Sequence, residues 1–115
     1  MSTGIDAAAL VPVMVDRALR RLTDQQLKAF TAHTTASACK ADRLARVAEL
    51  YRREACWWGV LSRWAYSEHP NAMPLVFGKA AIRAECEANE RAARYDEFAA
   101  SARRRAALNG SGVAA

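Results

Sequence analysis

At 115 residues, about half of them apolar, the chain can bury one modest core without a metal or disulfide to hold it. Its net charge of +5 favours acidic partners, but Arg outnumbers Lys fourteen to three in an Ala-rich background, so arginine content alone is weak evidence for nucleic acid. No apolar run approaches the ~18 residues of a membrane span, no leader-like segment opens the chain, and Cys39, Cys56 and Cys86 lie far apart without a CxxC pair; the expectation is a cytoplasmic protein in which each thiol is a small buried hydrophobe.

Thr3-Gly4-Ile5-Asp6 offers a first helix cap, but Pro12 would kink a helix begun there. A start near Leu10 makes Pro12 a first-turn residue instead. The run Leu10 to Val15 also alternates enough for a short strand, although nothing else in the chain would pair with it. Thr23-Asp24-Gln25-Gln26 then reads as a capping box. Beyond it Leu27, Phe30, Thr34, Ala38, Ala41, Leu44, Ala48, Tyr51, Ala55, Trp58, Ser62 and Ala65 recur at spacings of three and four, a helical period that could run unbroken. Its weak point is Thr34-Thr35-Ala36-Ser37, where β-branched and hydroxyl residues compete with the helix.

That helix should stop within Ser67 to Asn71, because the residue before Pro70 is pushed out of the α region. Asn71 can cap a last helix with Pro74 in its first turn, ending at Asn109-Gly110. This gives one helical domain over 1–110 and a frayed tail over 111–115. Asp42/Arg46, Glu49/Arg53, Glu87/Arg91 and Glu90/Arg94 are i,i+4 pairs in the favourable order, each contributing ~0.2–0.5 kcal/mol. The positive excess looks evenly spread, with ten basic and seven acidic residues up to position 70 and seven and five after it.

All three tryptophans fall within eight positions of the segment EACWWGVLSRWAY. On a helical wheel Trp58 shares an arc with Leu44, Val47, Tyr51, Leu61 and Ala65 and should face the core. Trp57 and Trp64 lie at the edge of that arc, on a strip with Arg46, Arg53, Leu50 and Val60. That composition suits a partner-binding site, with Arg53 within cation–π reach of Trp57. The competing expectation is packing, because Phe77, Ala81, Ala84, Ala88, Ala92, Tyr95, Ala99, Ala102 and Ala106 form an alanine face able to accept large rings. Glu54 sits inside the apolar arc and needs a partner, for which Arg17, Arg20 or Arg21 are the natural choices.

No catalytic, metal or cofactor signature stands out. The two histidines, His33 and His69, are poorly spaced for any cysteine or serine nucleophile, Glu-x-x-His is absent, and the five glycines form no phosphate loop. No small-molecule substrate is indicated. DNA binding would use a helix-turn-helix-like segment at 24–53, with Lys40, Arg43, Arg46, Arg52 and Arg53 on phosphates and bases. The sequence therefore predicts an all-α protein, an antiparallel hairpin of two long helices with a short N-terminal helix. Its expected role is that of a non-enzymatic accessory or regulatory factor binding a protein partner or a second copy, with Trp57, Trp64, Arg46 and Arg53 as anchors; a DNA-binding regulator is the alternative.

Overall fold

The computed structural model describes residues 10–31, 37–66 and 74–114, with side chains from residue 40 in the second stretch and up to residue 110 in the third. Within them the fold is the expected hairpin of two long helices with a shorter one against it: α1 spans Leu10–Thr31, α2 Ser37–Tyr66 and α3 Leu75–Ala114. Pro12 occupies the first turn of α1, where its missing N–H costs nothing.

Thr23 does not begin a helix. It lies inside α1, where its hydroxyl donates to the Leu19 carbonyl (2.9 Å), the back-bond open to a mid-helix threonine. The break expected at Thr34–Ser37 and the caps at Ser67–Asn71 lie outside the described residues, apart from Ser37, the first residue of α2. The antiparallel course of α1 and α2 does rule out one continuous helix. Asn109-Gly110 does not stop α3, which runs on to Ala114.

The seam between α2 and α3 is built from small residues on both sides. On α2, Ala41, Ala48, Ala55 and Ser62 recur every seven residues and are buried, as is Gly59. On α3, Ala81, Ala88 and Ala102 follow the same period, and Gly78, Ala92 and Ala99 fill the intervening positions. A repeat of seven keeps one stripe of each helix toward its neighbour. The register is antiparallel and constant: Tyr66 stands against Gly78, Gly59 against Glu85, Tyr51 against Tyr95, and Leu44 beside Ala102. A Cβ at Gly78 would lie 2.8 Å from the Tyr66 ring, so the bare glycine is what makes room for that ring over α3. Phe77, expected on this face, is exposed instead, one position beyond the stripe that Gly78 and Ala81 occupy.

Helix α1 pairs with the other side of α2 through Val15, Ala18, Leu22 and Gln26, all buried and spaced three, four and four. Leu50 and Val47 on α2 are fully buried, so α2 is covered along two of its flanks. The helices lie side by side in a slab of 75 × 23 × 16 Å with α2 in the middle. Because Phe30 meets Tyr51 and Leu22 lies beside Trp57, α1 covers only the part of α2 from about Tyr51 onward. Among the described residues, one end of the molecule therefore has three helices and the other has two. At the transition Phe30, Tyr51, Tyr95 and Phe98 form a ring cluster with centroids 5.5–6.4 Å apart, and Arg91 sits 5.8 Å above the Tyr51 ring.

Candidate functional site

Trp57 turns to α1 and Trp58 is joined to α1 through Glu54, while α2's own alanines occupy the seam with α3. Trp57 is half-buried in a shallow groove with Arg53 and with Ala18, Arg21, Leu22 and Gln25 of α1. Trp58 is half-buried and donates its indole N–H to Glu54 Oε2 at 3.2 Å. Glu54's other oxygen accepts from the Gln26 amide at 2.9 Å. The partner of this carboxylate is thus a buried glutamine of α1 and not Arg17, Arg20 or Arg21, all of which are exposed. Trp64 is half-buried further along.

Arg46 and Arg53 are both exposed, and Arg53 turns to Glu49 (3.4 Å) rather than to the Trp57 ring. Arg52 binds Glu49 (3.0 Å) and reaches across the seam to Asp96, so it ties α2 to α3. The Arg52 hydrogen bonds hold the Glu49 carboxyl below its usual range, and Glu49 in return raises the Arg52 guanidinium. Of the remaining expected i,i+4 pairs, Glu87 binds Arg83 (3.6 Å) while Arg91 goes to Tyr51. Cys56 and Cys86 are exposed free thiols and not buried hydrophobes; the side chain of Cys39 lies outside the described residues, as do His33 and His69.

The described helices α1 and α2 do not cross as the helix-turn-helix expected over 24–53 would; its turn lies outside the described residues. That motif crosses its helices at roughly 90–120°, whereas α1 lies along α2 from Phe30–Tyr51 through Gln26–Glu54 to Leu22 and Trp57. Of its five basic residues, Arg52 and Arg53 are engaged by carboxylates and Lys40, Arg43 and Arg46 lie toward the two-helix end.

Two surfaces lie at opposite ends of the slab: an apolar one that the sequence did not single out, and a basic one of which it singled out only Lys40, Arg43 and Arg46. At the three-helix end, Leu10, Val13 and Met14 of α1, Tyr66 of α2, and Leu75, Val76, Phe77 and Ile82 of α3 are all exposed. They are eight of the twelve exposed large apolar side chains among the described residues. At the tip of the two-helix end the antiparallel register sets Lys40, Arg43 and Arg46 beside Arg103, Arg104 and Arg105, with Asp42 among them and Glu49, Asp96 and Glu97 next inward.

No protein-family model, curated protein or solved structure matches the chain. The functional reading therefore rests on these surfaces. Among the described residues no group of three His, Cys, Asp or Glu side chains could hold a metal ion, and no helix is long and apolar enough to cross a membrane. The apolar end had a signal in the sequence. Leu75-Val76-Phe77 are consecutive, 100° apart on a helix, so at most one of them can point into a seam. At the basic end Lys40, Arg43 and Arg46 were legible as a cluster, but their meeting with Arg103, Arg104 and Arg105 was not, because the two halves are some sixty residues apart in the chain.

Proposed function

We propose that the protein is a non-enzymatic helical interaction factor that associates with a second copy of itself through its three-helix end. The supporting observation is the concentration of exposed apolar side chains there, with Leu75 62% and Val76 65% exposed on the first turn of α3. Together the eight side chains leave on the order of 700 Å² open, close to the ~800 Å² each partner contributes to a standard interface. Charge favours a second copy at this end over any pairing through the other. Apart from the two-helix tip the chain carries eleven basic and eleven acidic residues, so pairing through the apolar ends keeps the molecule's net charge, all of it at the tips, far from the interface. Two tips would oppose each other. In this reading the anchors are Val76, Phe77 and their neighbours, and Trp57 is a packing ring between α1 and α2.

The test is sedimentation equilibrium of the wild type and of the double variant Val76→Glu/Phe77→Glu. Both positions are exposed in the first helical turn, where carboxylates suit the helix dipole, so the fold should persist. The wild type is expected at twice the chain mass in the micromolar range and the variant at the single-chain mass with unchanged helicity. A wild type at single-chain mass throughout, or a variant that pairs as well as wild type, overturns the reading.

A further inference from the structure

The two-helix tip carries the whole net charge of the molecule. Lys40, Arg43, Arg46, Arg103, Arg104 and Arg105 against Asp42 give +5, which equals the formal charge of the full chain, and everything else is balanced at eleven against eleven. The distribution that looks even along the sequence is concentrated in space, because α2 and α3 run antiparallel and bring positions 40–46 beside 103–105. Elsewhere five of the eleven arginines and lysines are answered by carboxylates: Arg20 by Asp16, Lys28 by Asp24, Arg52 by Glu49 and Asp96, Arg53 by Glu49, Arg83 by Glu87. At the tip, Lys40, Arg46, Arg103, Arg104 and Arg105 are exposed and make no ion pair with any described carboxylate.

We propose that this tip is a docking surface for the phosphate backbone of double-stranded nucleic acid. Five of the six cations are arginines, whose planar fork matches phosphate oxygens in two-pronged contacts. Arg103, Arg104 and Arg105 are consecutive on a helix and so fan over roughly 200° around it. Such a fan engages phosphates on both sides of a groove, whereas a flat anionic bilayer would meet only one side of it. Between the helices a groove of about 220 Å³ is lined by Lys40, Ser101 and Arg105 with Leu44, Phe98 and Ala102, adding a hydroxyl donor beside two cations. The surface presents backbone-positioning groups, so binding is expected to be indifferent to base sequence. It stands independently of self-association.

The experiment is a fluorescence-anisotropy titration of a random-sequence duplex with the full chain over a range of salt. For five or six phosphate contacts the affinity should fall on the order of 10³-fold between about 50 and 200 mM salt. Arg103→Gln/Arg104→Gln/Arg105→Gln should reduce the slope of log K against log salt by about three, one for each contact removed. Arg17→Gln/Lys79→Gln/Arg94→Gln removes the same charge from exposed helical positions away from the tip and should leave that slope unchanged. Circular dichroism of both triple variants should show wild-type helicity. The proposal is overturned if the duplex does not bind at low salt or if both triple variants lose affinity equally. It is equally overturned if polyglutamate displaces the duplex at matched charge, or if anionic vesicles bind the tip and the duplex does not.

Discussion

Glu54 shows how the tryptophan segment joins the first helix, and the group that receives it is an amide and not a cation. The sequence makes plain that a carboxylate inside an apolar arc needs a partner, and charge complementarity points to Arg17, Arg20 or Arg21. Gln26 was hidden by the capping-box pattern at Thr23, which assigns it to the start of another helix; once α1 is seen to run from Leu10 to Thr31, its buried stripe of Val15, Ala18, Leu22 and Gln26 brings the amide to Glu54. Gln26→Ala should lower stability by about 1.5–3 kcal/mol, the range for a hydrogen bond to a charged group, in urea unfolding. No change would show that water serves Glu54 equally well. Tyr51 gives the pH dependence. Burial raises its phenol above the ordinary value of 10.0, so the folded state keeps its proton where the unfolded chain has begun to lose it. Its contribution is complete below pH 10 and is lost as pH rises through the folded-state pKa. Tyr51→Phe keeps the ring against Phe30 and Tyr95 and should flatten the fall in melting temperature above pH 10 while leaving the neutral-pH value nearly unchanged.

Between elements, the seam of α2 and α3 was half legible. The alanine face of α3 is conspicuous because seven of its nine expected members are alanine. Its counterpart, Ala41, Ala48, Ala55 and Ser62, is masked by the larger residues of α2, which dominate any reading by hydrophobic periodicity. The sevenfold spacing of small residues was the usable signal, and it would have turned the tryptophans toward α1. Two glycines in this seam separate close packing from helix propensity. A Cβ at Gly78 meets the rigid Tyr66 ring at 2.8 Å, so Gly78→Ala must displace a ring or a helix at a cost of about 1–3 kcal/mol. A Cβ at Gly59 meets the far end of Glu85 at 3.0 Å, a group that can swing aside. Gly59→Ala should then gain up to ~1 kcal/mol from helix propensity. Thermal unfolding is expected to rank Gly59→Ala above wild type and Gly78→Ala below it, and the reverse order would contradict the close-packed seam.

At the scale of the whole molecule the number and order of the helices were legible, but the boundary between α1 and α2 and the polarity of the ends were not. Number and order follow from periodicity and from Pro12, Pro70 and Pro74, which are local signals, whereas no proline marks the end of α1. The end-to-end asymmetry depends on length and register. α1 is 22 residues and α3 is 40, so among the described residues α1 leaves one half with two helices, and only the antiparallel register collects the unbalanced cations on it. Along α2 the basic and apolar ends are separated by roughly 40 Å at 1.5 Å per residue, several times the ~10 Å over which salt screens charge. Two copies joined at their apolar ends would leave two basic tips pointing away from each other. Small-angle X-ray scattering tests this arrangement directly, because mass and length come from one curve. Doubled mass with a maximum dimension at least half as long again as the 75 Å of one copy is the expected result, and doubled mass at about 75 Å, which requires side-by-side pairing, or a single-chain mass would contradict it.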